Sequence, residues 1–332
     1  MMSEKSLKWA TLGTGVIAHE LAQALQGLGG NLYSVANRTY EKGLAFAEQY
    51  GIQKVYREID EVFADDEVDI IYISTPHNTH INFLRKALAA GKHVLCEKSI
   101  TLNSAELEEA IQLAEEKGLV LAEAMTIYHM PIYRQLKDVV DSGKLGPLKM
   151  IQMNFGSYKD YDMTNRFFNR ELAGGALLDI GVYALSFVRW FMSSCPQNIL
   201  SQVQFAPTGV DEQVGILLTN QEKEMATISL SLHAKQPKRG MLAYDKGYIE
   251  LYEYPRGQKA VITYTEDGHQ EVIETGNTKD ALRYEVLDME RAVAGDDNQM
   301  YLAYSCDVME MMTKLRSNWG LTYPEEEEER GS

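Results

Sequence analysis

Between Leu7 and Leu25 the chain reads strand, glycine turn, helix. Leu7-Lys8-Trp9-Ala10-Thr11-Leu12 has the composition of a short strand, and Glu20-Leu21-Ala22-Gln23-Ala24-Leu25 continues as a helix. Between them lies Gly13-Thr14-Gly15-Val16-Ile17-Ala18, the G-x-G-x-x-A form of the dinucleotide-binding turn. The first glycine permits the tight turn and the second lets backbone approach a pyrophosphate. The helix start then offers free N–H groups and the positive end of its dipole to the phosphates. Gly13, Thr14, Gly15, Val16 and Ile17 are the expected contacts.

The end of the second strand, Asn31 to Asn37, bears on which dinucleotide. A carboxylate about 20 residues past the glycines would bind a ribose 2′-hydroxyl and repel a 2′-phosphate. Here stands Asn37-Arg38-Thr39. Arg38 can grip a 2′-phosphate with a charge-assisted fork, so NADP(H) is the expected cofactor and NAD(H) the alternative.

Strands and helices then alternate. Helices are expected over 41–50, 58–64, 81–90 and 105–117. The strands expected are Val68 to Ile73, Lys92 to Cys96 and Leu119 to Ala124, the first nearly continuously apolar, as a strand covered on both faces is. This is the pattern of a doubly wound parallel sheet, whose ligands gather at the carboxyl ends of strands. Four segments end there: the glycine turn, Asn37-Arg38, Ser74 to His80, and Glu97-Lys98. The segments that hold Asn37, Thr75, Pro76, Asn78, His80, Glu97 and Lys98 therefore lie where cofactor contacts are expected. His77 and His80 have no third ligand nearby in sequence, and no metal is expected.

The 332 residues suffice for two domains with separate cores. A net charge of −16 disfavours nucleic acid and anionic membranes as partners. Three widely spaced cysteines give no disulfide framework, and the first residues lack the apolar core of a signal peptide. A reducing, cytoplasmic setting is expected. The longest apolar stretch, Ala176 to Met192, contains Asp179 and Arg189 and is not read as a membrane span.

After a linking helix over 130–142 the pattern changes to eight strands between Leu148 and Glu274, with few helices among them. They predict a large, mainly antiparallel open sheet with one helix, Gly175 to Phe191, inserted early. Helices over 281–294 and 304–317 follow, then a disordered acidic tail. The division expected is 1–125, a dinucleotide-binding domain; 126–324, an α+β substrate and oligomerisation domain; and 325–332, the tail. In the inserted helix, Asp179 and Tyr183 are four residues apart and share a face. Apolar residues surround them, a setting in which a carboxylate needs a polar reason to be present.

The glycine turn, Thr75-Pro76 with Asn78 and His80, His93-Val94-Leu95-Cys96-Glu97-Lys98, and Gly174 to Tyr183 together resemble the Gfo/Idh/MocA oxidoreductases along essentially the whole chain. The resemblance implies a Rossmann domain, an α/β domain whose open sheet forms a homodimer or homotetramer, and NAD- or NADP-linked redox of sugars, polyols, cyclitols or related diols. It assigns Lys98, Asp179 and Tyr183 as the catalytic set. Tyrosine at 183 is similar to the branch with dimeric dihydrodiol dehydrogenase, NADP-dependent xylose dehydrogenase and glucose–fructose oxidoreductase. Tyr183 is read as the acid/base group, Lys98 as a cation favouring its phenolate, and Asp179 as a substrate anchor; the first two roles are interchangeable at this stage. Two positions depart from the family pattern: Ser99 follows the lysine where proline is usual, and Tyr128 stands where arginine is common. Arg166 and Tyr128 are the expected substrate contacts. Two other readings are a catalytically silent NADP(H) sensor and an enzyme of redox-assisted glycoside cleavage.

Overall fold

The computed structural model describes residues 7–331. The N-terminal stretch read as lacking a signal peptide lies outside them. The chain forms two compact units.

The first unit takes the chain through Thr101, then Ala105–Ala124 and Leu282–Leu302. Its sheet has six parallel strands: β1 (Trp9–Leu12), β2 (Ser34–Ala36), β3 (Lys54–Val55), β4 (Ile70–Ile73), β5 (His93–Glu97) and β6 (Leu121–Ala124). Their order is β3-β2-β1-β4-β5-β6, so the winding reverses between β1 and β4. Helices α1 (Val16–Gly27), α2 (Tyr40–Tyr50), α3 (His80–Ala89) and α4 (Ser104–Lys117) make the crossovers. All four residues of β1 and of β4 are buried, as in a sheet covered on both sides. The two-residue β3 is too short to carry a period, and no strand is expected there. The late segment 282–302 belongs to this unit: Trp9 Nε1 donates to Glu290 Oε1 at 3.0 Å, and Arg283 Nη2 to the Gly27 carbonyl at 2.8 Å. Such a return cannot be read from local pattern.

The second unit contains Leu102–Ser104, Met125–Ala281 and the chain from Ala303. Helices α5 (Thr126–His129) and α6 (Pro131–Asp141) lead into eight strands. These are β7 (Leu148–Gly156), β8 (Asn198–Phe205), β9 (Asp211–Thr219), β10 (Met225–Ser231), β11 (Gln236–Tyr244), β12 (Gly247–Tyr252), β13 (Lys259–Tyr264) and β14 (Gln270–Glu274). The order is β14-β13-β12-β11-β7-β10-β9-β8, and β7 with β10 is its one parallel pair. A long connection separates β7 from the β8-β9-β10 meander, and parallel pairing requires such a crossover.

That connection carries the inserted helix, which differs from expectation. It opens as a π-helical turn, Leu177–Gly181, and continues as α7 (Val182–Phe191). It presses against the sheet where glycine makes room. A Cβ on Gly181 would lie 2.9 Å from Leu230 Cδ1 of β10, and one on Gly240 of β11 would lie 2.7 Å from the Phe187 ring. Arg170–Phe191 is long and apolar enough to cross a membrane by length and composition alone, and most of its apolar stretch is buried. Elsewhere Leu200, Tyr252 and Val272 leave 66%, 57% and 54% of their surface exposed on β8, β12 and β14.

Helices α8 (Ala281–Ala294), α9 (Leu302–Trp319) and α10 (Pro324–Gly331) end the chain. The acidic run expected to be disordered is thus helical over 324–331. Arg316 donates to both Glu326 oxygens at 2.8 Å, the Tyr323 amide donates to Oε2 at 2.9 Å, and Asn103 Nδ2 donates to Oε1 at 2.9 Å. Composition alone could not show that one glutamate of the run is buried against arginine.

Candidate active site

In the first unit, hydrogen bonds knit the carboxyl ends of β1, β2 and β4 together. The Gly13 amide donates to the Ala36 carbonyl at 2.9 Å, and the Ser74 amide to the Leu12 carbonyl at 3.0 Å. Gly13 has φ +100°, and a Cβ there would lie 2.9 Å from the Ser74 carbonyl oxygen. Both its conformation and its space demand glycine. Over Gly15, by contrast, a Cβ would meet nothing within 4 Å. No side chain caps α1, and Val16 at its start is 80% exposed. Bare backbone amides at a helix start, with an open approach over glycine, fit the pyrophosphate of a dinucleotide. Thr14 Oγ1 donates to Asn37 Oδ1 at 3.3 Å, joining the glycine turn to the end of β2. Arg38 beside it is exposed, with no carboxylate paired to it among the described residues.

The turns after β4 and β5 are braced by two histidines. His77 Nε2 donates to the Lys98 carbonyl at 3.1 Å. The His80 ring nitrogens lie 2.9 Å from the Thr75 carbonyl and 3.0 Å from that of Ser99. Burial lowers the pKa of His80, outweighing the opposing pull of the carbonyls. The ring is fully buried, so the expected cofactor contact by its side chain is corrected: it is a strut between two turns. Thr79 Oγ1 lies 2.7 Å from both Thr75 Oγ1 and the Pro76 carbonyl, tightening the same turn, which also holds Asn78. Pro76 is exposed at this edge; Thr75 and Asn78 are half-buried. Glu97 accepts a hydrogen bond from Tyr72, and Glu97 Oε2 accepts from the Lys98 amide at 3.3 Å. Lys98 is half-buried and its peptide bond to Ser99 is cis.

In the second unit, Asp179 lies on the π-helical turn and Tyr183 at the start of α7, both half-buried among fully buried neighbours. Arg166 Nη2 is 3.6 Å from Asp179 Oδ1; the arginine side chain is 60% exposed and the aspartate 12%. The loop is shaped by Asn165, whose Oδ1 accepts from the amides of Phe167 and Phe168 at 2.9 and 3.2 Å, a side-chain-capped turn. The Arg166 guanidinium lies 4.3 Å from the Phe167 ring centroid, with Lys159 Nζ 4.1 Å from the same ring. Tyr183 packs near Phe155, their centroids 6.2 Å apart. Phe155 was not expected as a site residue; it is an inward position at the end of β7 and carries no local signal. Tyr128 is not part of this group. It is fully buried, stacked on Trp190 at 5.7 Å and near Tyr304 at 5.9 Å, so its expected role as a substrate contact is corrected to core packing. Among the described residues no cluster of three His, Cys, Asp or Glu could hold a metal.

Residues 7–125 match the family model of oxidoreductases with an NAD-binding Rossmann fold, and residues 133–250 match the GFO/IDH/MocA C-terminal domain. The chain belongs to the GFO/IDH/MocA oxidoreductases. Within that family, a trans-1,2-dihydrobenzene-1,2-diol dehydrogenase from Xenopus laevis is 32% identical over 259 residues, 77% of this chain and 78% of the relative. Its namesake from Homo sapiens is 32% identical over 250 residues, 74% of each chain. Among solved structures, a 3-ketoreductase from Actinomadura kijaniata in complex with NADP and TDP-benzene superposes with a TM-score of 0.85. That match has 21% identity and covers 94% of this chain and 98% of the other. The UDP-N-acetylglucosamine 3-dehydrogenase from Acidithiobacillus ferrooxidans gives 0.80 at 19% identity, covering 94% and 97%. These two bear on the fold. As a GFO/IDH/MocA oxidoreductase, the protein is an NAD(P)-dependent dehydrogenase or reductase.

Proposed function

We propose that the protein exchanges hydride between NADP(H) and a CH–OH carbon of a trans-diol or a sugar, with Lys98, Asp179 and Tyr183 as the acting side chains. The observation that carries this is the Asp179–Tyr183 pair, half-buried at the start of the inserted helix with Arg166 3.6 Å from the carboxylate. A silent sensor has no need of it. When bound, the nicotinamide supplies hydride exchange at the carbinol carbon. The glycine turn and α1 would hold its pyrophosphate, and Arg38 would grip the 2′-phosphate. The Tyr183 phenolate takes the proton of the substrate hydroxyl as hydride leaves its carbon during oxidation, and the resulting phenol returns that proton to the oxygen during reduction. Asp179 accepts a hydrogen bond from a second substrate hydroxyl, which favours vicinal diols, and Arg166 limits the orientations of that carboxylate. Lys98 is the cationic member of the set, on the first unit. Support for diols comes from the named relatives, which span three-quarters of the chain at 30–32% identity.

We further propose a homo-oligomer built on the open face that exposes Leu200, Tyr252 and Val272, in a reducing, cytoplasmic setting that keeps the three cysteines free. The partner is a small molecule, with no nucleic acid or membrane surface engaged.

The test is NADP⁺ reduction over trans-dihydrodiols, aldoses and inositols, with Tyr183→Phe as control. Turnover of at least one class is expected, and loss of the acid/base group should lower kcat by about 10²–10⁴. No turnover with any class, or a fully active Tyr183→Phe, overturns the proposal.

A further inference from the structure

Asp211 opens β9, fully buried, and its side chain points at the start of the helix that bears Asp179 and Tyr183. The Leu177 amide donates to Asp211 Oδ2 at 2.6 Å. Oδ1 lies against Gly175, which has φ +125° and where a Cβ would sit 2.2 Å from that oxygen. The carboxylate thus occupies the space any side chain at 175 would need. The opposite flank is tied as well. The Gly174 amide donates to the Asn169 carbonyl at 3.0 Å, the Gly175 amide to the Phe167 carbonyl at 2.9 Å, and Tyr323 Oη to the Gly174 carbonyl at 2.6 Å. Residues 174–177 are therefore gripped between the Arg166 loop, Tyr323 and Asp211. The turn they start is π-helical, so where it begins sets the azimuth at which Asp179 and Tyr183 leave the axis.

We propose that Asp211 is a positioning residue that fixes the first turn of this helix and so aims Asp179 and Tyr183 at the reacting hydroxyl groups. A buried carboxyl is a costly way to cap a helix. Burial pushes its pKa up to about 7, against the opposing pulls of the Leu177 amide and the charge of Arg316. Arg316 itself is engaged by Glu326 and makes no hydrogen bond to Asp211 among the described contacts. An apolar residue would fill the space at less cost but would leave the Leu177 amide without its acceptor. The carboxyl group is explained by the geometry it enforces on the site.

The inference rests on the proposed function for its kinetic readout, and amide exchange supplies one that does not. Asp211→Ala is expected to lower kcat by about 100-fold, the order that a misplacement of about 1 Å costs, with KM for NADP⁺ and cofactor affinity unchanged. Amides 176–183 should exchange faster in that variant and nowhere else. Asp211→Asn keeps an acceptor oxygen for Leu177 and should restore kcat to within about threefold, less than a typical hydrogen bond is worth. Should Asp211→Ala not fold, Asp211→Ser takes its place with the same expectations. Wild-type kcat in the alanine or serine variant, or a loss shared equally by cofactor binding and by exchange throughout the chain, overturns the proposal. If the wild type itself turns over no diol or sugar, the functional reading fails; unchanged exchange over 176–183 then separately overturns this one.

Discussion

Arg38 stands exposed at the end of β2, where a reader of the ribose 2′-hydroxyl would carry a carboxylate. Replacing it with alanine should raise KM for NADP⁺ about tenfold or more, the worth of a charge-assisted hydrogen bond, and leave KM for NAD⁺ nearly unchanged. Initial rates with the two cofactors check this; equal effects on both would remove Arg38 from phosphate recognition. At this scale residue type alone supplies the candidates: the glycines because a tight turn needs them, as Gly13 shows, and Arg38, Asp179 and Tyr183 because a phosphate or a proton would need such groups. Two residues misled for one reason. His80 and Tyr128 have polar tips, but the fold buries both, one as a strut between turns and the other in an aromatic cluster. Burial is decided by residues far away in the chain.

Among the elements, β1 and α1 are joined by a turn that tolerates no side chain at its first glycine. Gly13→Ala forces a left-handed backbone on a residue with a Cβ and drives that atom to 2.9 Å from the Ser74 carbonyl oxygen. A stability loss of at least about 1–2 kcal/mol is expected, measured as a lower urea midpoint, with weaker cofactor binding. A variant as stable as the wild type would contradict the tight-turn account. The C-terminal helix gives the second test. Burial pushes the Glu326 carboxyl up, but the hydrogen bonds and charge of Arg316 outweigh this and hold its pKa below the ordinary 4.5. A carboxyl lowered on folding stabilises above its unfolded pKa and ceases to do so as pH falls through its lowered folded value. Glu326→Gln should therefore lose stability at neutral pH and approach the wild type in acid, as read by urea midpoints across pH. A constant gap at all pH values would rule the ion pair out as the source. The parallel sheet was legible from alternating strands and helices. The π-turn and α10 were not, because residues outside each element hold them: Asp211 bonds Leu177 in one, and Asn103 and Arg316 bond Glu326 in the other.

For the molecule as a whole, the division into a dinucleotide unit and a sheet-rich unit follows the change in pattern near residue 125. The return of 282–302 to the first unit does not, since a helix states no destination in its own sequence. Assembly is tested by sedimentation. The chain has a mass of 37.5 kDa, and the exposed apolar side chains on β8, β12 and β14 predict a species of at least twice that. Leu200→Glu should weaken it, whereas a monomer at all concentrations would contradict the interface. Hydride exchange with a carbinol carbon is read out by isotope transfer. A trans-dihydrodiol or sugar deuterated at its carbinol carbons is turned over with NADP⁺, and the NADPH is examined by mass spectrometry. Deuterium is expected in the nicotinamide of the product, and Tyr183→Phe should form that product far more slowly. NADPH formed without deuterium, or consumption of the diol with no labelled NADPH, would contradict it.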